Sequence, residues 1–263
     1  DQVYDNPYPK VYDHINQFFN PGDYLTTHLA LKGTTQNNKM SIYTAVQTTK
    51  EGGVVKMVDG IDRTNIRLNV DYRIMDNLFL TTSNLYTKTT ADNRAGGGMF
   101  GALYRSDPSA NLLAPNEDGS PYLVNVNKIN EIVNPLYQIA NSKDESTSEK
   151  LMSYFALKYD PTDYLTFSAS YGTTRGTGES LYLTPKGRLN YELKQEPGYI
   201  SRSMWKNVEQ TVTIDASFYK KFGDFNTRLK LQYLYESSYS STLNGGGSAL
   251  GLGGMDITSV NLS

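Results

Sequence analysis

The 263-residue chain contains no cysteine and only two histidines, His14 and His28. The absence of cysteine excludes disulfides, thiol nucleophiles and cysteine-bound metals, although it leaves the cellular compartment open. Neither histidine has a carboxylate or a second histidine at metal-ligand spacing, so we expect no metal and no cofactor. No set of residues resembles a nucleophile with its acid and base, and we do not expect an enzyme.

Long apolar runs are also missing, since no stretch approaches the ~20 apolar residues of a membrane-spanning helix. This absence does not exclude a membrane protein, because the strands of a membrane barrel alternate in polarity instead. The formal net charge of −2 gives no sign of a nucleic-acid footprint. Twenty-one tyrosines against a single tryptophan suit a β-rich protein with aromatic belts.

Neither end of the sequence carries the features of a complete membrane-barrel chain. The first residues lack the basic and apolar segments of a signal peptide, and the last residues lack a strand that ends in an aromatic residue. Either a signal peptide was removed or the chain is an internal piece, and we expect both ends to be cut.

Residues 61–74 alternate between apolar and polar side chains. In a strand, alternate side chains lie on opposite faces, so this segment has one apolar face and one strongly polar face. The apolar parity consists of Thr64, Ile66, Leu68, Val70, Tyr72 and Ile74. The polar parity consists of Arg63, Asn65, Arg67, Asn69, Asp71 and Arg73.

Comparable alternation predicts eight strands, at residues 24–33, 40–49, 61–74, 78–88, 151–159, 165–173, 208–219 and 225–236. The connections between them alternate between short and long. Aromatic residues cluster beside the short turns: Tyr72, Phe79, Tyr159, Tyr164, Tyr219, Phe222 and Phe225. This pattern is typical of an outer-membrane barrel, with short periplasmic turns, long extracellular loops and an interfacial aromatic girdle.

The predicted organisation follows from these strands. Residues 1–22 form an extracellular loop segment with one helical turn near 13–19. Residues 23–237 form the strands, with long extracellular loops at 50–60, 89–148 and 174–206. Residues 238–263 begin a further extracellular loop.

Eight strands can close into a small barrel, but its interior is then just filled by side chains. The polar faces of this chain carry many long charged groups, which fit better against a wide lumen or a plug. We therefore favour an all-β, antiparallel, up-and-down transmembrane β-barrel of which these strands are an arc.

Several segments resemble one family of membrane proteins. Residues 62–71, Asp-Arg-Thr-Asn-Ile-Arg-Leu-Asn-Val-Asp, with Met75-Asp-Asn-Leu78, resemble the R-x-N-x-R-x-N-x-D…D-x-L segment of SusC/RagA-type TonB-dependent outer-membrane transporters. Further similar segments are Leu29-Ala-Leu-Lys-Gly33, Lys50-Glu-Gly-Gly53, Asn134-Pro-Leu-Tyr137, Ser148-Glu-Lys-Leu151 and Tyr159-Asp-Pro-Thr-Asp-Tyr-Leu165. The resemblance covers residues 10–175 by motif and the remainder by pattern.

The resemblance implies a 22-stranded barrel in the outer membrane of a Gram-negative bacterium. It also implies a SusD-like surface lipoprotein as a lid, and energy from the TonB–ExbB–ExbD system acting through a plug that this sequence does not contain. The substrates of such transporters are glycans or peptides. The lipid of the membrane is the remaining partner.

Two groups of residues are candidates for contact with substrate or partners. Aromatic residues predicted in the long connections are candidates to stack on sugars or to contact a lid protein: Tyr104, Tyr122, Tyr137, Tyr182, Tyr191, Tyr199 and Trp205. Charged residues on the polar parities are candidates for the lumen or the plug: Arg63, Arg67, Asp71, Arg73, Arg228 and Lys230. The three arginines at 63, 67 and 73 either bond to the plug or to carboxylates on neighbouring strands, or guide an anionic solute.

The sequence therefore predicts TonB-dependent uptake of a glycan or peptide nutrient across the outer membrane. A structural or adhesive barrel that presents its loops to a partner is the alternative, and a passive porin is a third. A soluble β-sandwich would need a second sheet to cover the apolar rows, which the asymmetry of the loops gives no reason to expect.

Overall fold

The computed structural model describes residues 10–96 and 98–251. Its main strands are β1 Tyr24–Thr34, β2 Met40–Glu51, β3 Ile61–Met75, β4 Leu78–Asp92, β7 Lys143–Thr162, β8 Leu165–Thr184, β9 Tyr199–Phe222 and β10 Phe225–Ser248. They form one antiparallel sheet in the order β1-β2-β3-β4-β7-β8-β9-β10. The predicted all-β, up-and-down architecture is confirmed, and the sheet is consistent with a fragment of a β-barrel.

The smaller elements are α1 His14–Phe18, α2 Met99–Arg105, the hairpin of β5 Asn125–Asn127 with β6 Ile132–Val133, and α3 Pro135–Ala140. The helix α1 lies within the helical turn predicted near residues 13–19. In the part of the chain that the structure describes, no helix has both the length and the apolar character needed to cross a membrane.

Short and long connections lie at opposite ends of the sheet. Residues 35–39, 76–77, 163–164 and 223–224 turn the chain at one end, which we call the short-turn end. Residues 52–60, 93–142 and 185–198 connect strands at the other, which we call the loop end. Gly60 closes the first of these loops with φ of +86°, and a Cβ there would lie 2.0 Å from the carbonyl oxygen of Glu51. Only glycine fits this close approach.

The strands are longer than the alternation predicted, and the extra residues lie at the loop end. The predicted loop at 174–206 is strand up to Thr184 and again from Tyr199, and the predicted loop at 89–148 loses residues to β4 and β7. The predicted loop at 238–263 is strand up to Ser248, and residues 252–263 lie outside the described part of the chain. A strand that continues with polar side chains on both faces has no alternation to reveal it.

The register of the sheet places the two parities of every strand on two continuous faces. On one face, which we call the polar face, Arg67 lies between Ala45 of β2 and Leu85 of β4. On the other, which we call the apolar face, Ile66 lies between Val46 and Tyr86. Most large side chains of the apolar face remain exposed, including Leu29 at 65% and Leu231 at 62%. An apolar surface of this extent needs a partner, because soluble monomers rarely expose one.

The apolar band crosses the hydrogen-bonded rows of the sheet obliquely. One row on the apolar face begins with Leu31 and Leu68 but continues as Asn84, Gln210 and Ser237 on the later strands. On β9 and β10 the band instead lies closer to the short-turn end, at Phe218, Leu229 and Leu231. A level apolar band produces this slant when the strands are tilted by ~45°, as in the wall of a membrane barrel.

A small folded unit with its own core covers the loop end of β2–β4. It comprises α1, residues 52–58, α2, the β5–β6 hairpin and α3, and we call it the loop-end unit. Its buried core consists of Phe18, Val55, Ala102, Leu103, Leu112, Val126, Ile132, Leu136 and Ile139. The described residues of the long connection at 93–142 therefore fold around a core of their own, which a sequence without strong periodicity could not show.

Candidate functional site

The predicted lumen residues of β3 all lie on the polar face, where β4 bonds to several of their neighbours. The Thr81 hydroxyl donates to Asp71 at 2.9 Å, and the Ser83 hydroxyl donates to the Asn69 side chain at 2.9 Å. These bonds fix the acceptor side chains against the wall. Asp71 is thus held by its own sheet.

The three arginines of β3 have no carboxylate partner in the described ranges. None of the ion pairs within residues 10–96 and 98–251 includes Arg63, Arg67 or Arg73. Arg67 borders an open concavity on the sheet that also includes Tyr154 and Glu209. In the described ranges these arginines are thus not ion-paired with Asp or Glu on neighbouring strands, and a plug or a solute is the partner left to propose.

The guanidinium of Arg73 lies 5.6 Å from the ring centroid of Phe79 on the adjacent strand. At the short-turn end of β10, Arg228 similarly lies 5.6 Å from the ring of Tyr219. Such cation–π contacts hold a guanidinium beside an aromatic ring without neutralising its charge. Lys230 differs, because its ammonium pairs with Asp215 of β9 at 3.1 Å.

Three predicted contact tyrosines belong to the loop-end unit or its surface, and their exposure separates them. Tyr104 is 90% exposed on α2, so its ring is free to contact a partner. Tyr122 packs against the core of the unit. Tyr137 is only 6% exposed, so its ring is packed inside the unit and offers no open face in this structure.

Tyr137 instead joins two long loops. The motif Asn134-Pro-Leu-Tyr137 begins α3: the Asn134 side chain caps the helix by accepting from the Leu136 amide, and Pro135 occupies the first turn. This places the Tyr137 hydroxyl to accept a 2.8 Å hydrogen bond from the Leu189 amide in the 185–198 loop. Asn125 also donates to the Tyr191 carbonyl at 2.8 Å. The two loops are therefore fastened together.

Tyr182, Tyr199 and Trp205 lie on strands rather than in a loop. Their register puts all three on the polar face, near the loop end of β8 and β9. The rings of Tyr182 and Tyr199 lie 6.0 Å apart, and both side chains are more than 40% exposed. The structure thus places on one face three predicted contact residues that the sequence assigns to a long loop, and it pairs the first two.

An ion pair at the base of the loop-end unit was missed by sequence reasoning. Arg94 pairs with Asp92, and it also donates to the backbone carbonyls of Met57 and Ile139. Burial works to raise the pKa of Asp92, but hydrogen bonds from Arg94 and from the Asp59 amide outweigh it and lower the pKa. Two residues separated by a single position carry no pattern that predicts such a junction.

Asp144 lies beside this junction, and its pKa shifts in the direction opposite to that of Asp92. Burial raises the pKa of its carboxyl, and the nearby charge of Asp92 adds to the effect, while the Asn93 side chain offsets part of it. Neither carboxylate joins a metal site, since no group of three His, Asp or Glu side chains poised for a metal occurs in the described ranges. His14 donates to the Ala110 carbonyl at 2.8 Å and serves the packing of the unit.

No family model and no curated protein matches the sequence. Solved structures do match the fold. Chains of the RagAB peptide importer in its closed-closed and open-open states superpose with TM-scores of 0.73 and 0.72 at 14% and 15% sequence identity. A structure of the RagAB peptide transporter gives 0.74 at 13% identity. Each match covers 97% of this chain and 29% of the other. The chain therefore has the fold of about a third of a large transporter chain.

Proposed function

We propose that the chain is part of a TonB-dependent transporter that carries a glycan or peptide nutrient across the outer membrane of a Gram-negative bacterium. The observation that carries this proposal is the oblique apolar band on an eight-stranded sheet whose other face is polar. Lipid is the solvent that fits such a band, since membrane barrels carry an outward-facing apolar band at the height of the hydrocarbon. Closure of the barrel would also leave no unpaired backbone group in the membrane. The fold of the RagAB peptide importer chains supports the same reading.

The partners belong to the proposal as well. A plug in the lumen would meet the unpaired arginines Arg63, Arg67 and Arg73, and the TonB–ExbB–ExbD system would act on that plug. A SusD-like lipoprotein would cover the loop end, where the 93–142 and 185–198 loops are fastened together by Tyr137. The eight strands would form an arc of a 22-stranded wall, as the resemblance to SusC/RagA-type transporters implies.

Uptake of a labelled nutrient by cells tests this function. The full-length protein should support uptake that stops when TonB is deleted or the proton gradient is collapsed. A passive porin would instead admit small solutes into proteoliposomes without energy, and that result would contradict the proposal. An adhesive barrel would give neither form of transport. Co-purification in detergent should recover a surface lipoprotein, and its absence would argue against a lid.

A further inference from the structure

The polar face of β8 and β9 carries an aromatic track near the loop end, consisting of Tyr182, Tyr199 and Trp205. Tyr182 and Tyr199 form a pair on adjacent strands, with ring centroids 6.0 Å apart. Trp205 lies six residues along β9 from Tyr199 and on the same face, which places it about 20 Å deeper along the wall at ~3.4 Å per residue.

Trp205 is held in place by two glycines of β8. A Cβ at Gly178 would lie 2.5 Å from the indole Nε1 and Cε2 atoms, and one at Gly176 would lie 3.0 Å from Cζ3. The ring therefore rests directly on the backbone of β8, which only residues without a side chain permit. One side of the indole contacts the β8 backbone, and the other side faces the space in front of the polar face, where a ligand would lie.

The wall between the tyrosine pair and Trp205 is polar but uncharged. Side chains on the polar face of β8, β9 and β10 in this interval are Ser180, Ser201, Ser203, Thr242 and Asn244. The charges of the same strands, Glu179, Arg202 and Lys206, lie on the opposite face. The nearest charges on the polar face are on β7: Asp144 lies directly opposite Tyr182, and Lys150 lies opposite Gly176.

The track does not anchor the protein in lipid. Aromatic belts face the membrane interface, whereas these rings lie on the polar face. At the same level the apolar face has already become charged, since Lys88 pairs with Glu149 at 3.2 Å with both side chains more than 40% exposed. Such an exposed pair indicates water outside the wall at this height.

We propose that the track binds a neutral oligosaccharide, with sugar rings on the Tyr182–Tyr199 pair and on Trp205 and with hydroxyls bonded to the serines and Asn244 between them. A sugar ring has a flat C–H-rich face that packs on an aromatic ring and an uncharged edge of hydroxyl donors and acceptors. A peptide would bring charged termini onto β8–β10 positions that carry no charge between the tyrosine pair and Trp205, with the Asp144 carboxyl of β7 beside the pair. This inference rests on the proposed transport function and selects glycan over peptide within it.

Calorimetric titration of the full-length protein, purified from the outer membrane with any bound lipoprotein, tests the track. The probes are a panel of neutral plant and microbial oligosaccharides of graded length, with tryptic casein peptides as the comparison. We expect at least one oligosaccharide to bind and Trp205→Ala to weaken it about tenfold, as loss of one stacked ring would. Trp205→Phe should restore most of the affinity.

Variants of two glycines of β8 distinguish loss of ligand contact from misfolding of the sheet. Gly178→Ala keeps the indole but pushes it from the wall, so it should weaken the oligosaccharide by a similar factor. Gly172→Ala is the control on the same strand and face, because the nearest atom to its Cβ would be a Tyr154 ring carbon at 3.9 Å. It should bind as the unaltered protein does, and unchanged gel migration without heating verifies that each variant has folded.

Three results would overturn the glycan track. They are binding of peptides that depends on Trp205, binding of no oligosaccharide in the panel, and oligosaccharide affinity that Trp205→Ala leaves unchanged. The first of these leaves the transport function in place. The opposite combination is oligosaccharide binding that depends on Trp205 without any TonB-dependent uptake. That result would support the aromatic track and contradict the transport proposal.

Discussion

Arg94 fastens three segments with one side chain. It pairs with Asp92 at the end of β4 and donates to carbonyls of the 52–60 loop and of α3. The guanidinium suits this position because its planar fork presents five donors in fixed directions. The two partners are largely buried, with side-chain exposures of 19% and 7%, so neither can turn to water when the other is lost.

Replacement of Arg94 by glutamine should loosen the loop-end unit from β4. The variant leaves the Asp92 carboxylate without its cation and the two carbonyls without a donor, at a cost of about 2–3 kcal/mol. Hydrogen exchange should show faster exchange at the Met57 and Ile139 segments, with the sheet unchanged. Arg105→Gln is the control, because within the described ranges the Arg105 side chain donates just to the Gly101 carbonyl of its own helix. Equal loosening by both variants would contradict the role of Arg94.

The same junction should respond to acid. The pKa of Asp92 lies below its ordinary value of 3.8, so its ionised form stabilises the fold at all pH values above that range. The contribution is lost as the pH falls through the lowered value. Protection of the Asp59 amide, which donates to Asp92 at 2.9 Å, should therefore persist at pH 5 and decline below about pH 4. Asp92→Asn should remove this pH dependence, and a variant that kept it would show another group to be responsible.

The hydroxyl of Tyr137 gives a second local prediction. Tyr137→Phe keeps the buried ring but removes the acceptor of the Leu189 amide, which should cost about 1 kcal/mol. The Leu189 amide should exchange faster, while the core of the loop-end unit stays protected. Tyr104→Phe should change nothing in this measurement, because Tyr104 is 90% exposed.

At the scale of elements, the loop-end unit and the sheet are stabilised differently. The unit has a dry apolar core, whereas the sheet is held by its backbone ladder and by the solvent that covers its apolar face. Leu136 is fully buried in the core of the unit. Truncation there should therefore affect the unit and leave the strands paired.

Leu136→Ala should destabilise the unit by about 2–5 kcal/mol. Limited proteolysis of the folded full-length protein should then cut within residues 93–142, while the heat-modifiable gel shift expected of the proposed barrel remains. Leu113→Ala is the matched control in the same connection, since Leu113 is 45% exposed. Loss of the gel shift with Leu136→Ala would show that the unit and the wall fold as one.

The sequence predicts strands where one face of the sheet is apolar and the other is polar, because only there does polarity alternate. For this reason the prediction that alternate residues of β3, from Arg63 to Arg73, share one polar face is confirmed. Beyond the apolar band both faces carry polar side chains, so the ends of β8, β9 and β10 have no such alternation and the sequence places them in loops. The helices α2 and α3 are only seven and six residues long, too short for helical periodicity to identify.

The candidate site was predictable to a similar degree. Residue type identified the aromatic side chains, but only the register shows that Tyr182, Tyr199 and Trp205 share a face. Burial of Tyr137 could not be read from sequence, because its partners lie in a distant loop. The Gly176-x-Gly178 spacing does carry a signal, since alternate glycines in a strand leave one face bare.

At the scale of the whole molecule, the slant of the apolar band makes the decisive prediction about its solvent. Leu157 and Ala156 are neighbours in β7 but lie on opposite faces: Leu157 faces outward in the band, opposite Leu80, and Ala156 lies on the polar face, opposite Thr81. Leu157 is 41% exposed in the isolated chain. If lipid covers this side chain, a charge there must enter the membrane.

Leu157→Arg should therefore lower the stability of the proposed full-length barrel by roughly 1–3 kcal/mol. An arginine on the lipid face costs about 2–4 kcal/mol at the mid-plane and less toward the girdle, where Tyr159 lies two residues away. Ala156→Arg introduces the same side chain one residue away but on the polar face, and it should assemble with much smaller loss. The fraction of each variant that keeps its heat-modifiable migration after titration with denaturant measures both effects in one experiment. Equal tolerance of the two arginines would mean that water or protein, rather than lipid, covers the apolar face, and the transport proposal would lose its physical basis.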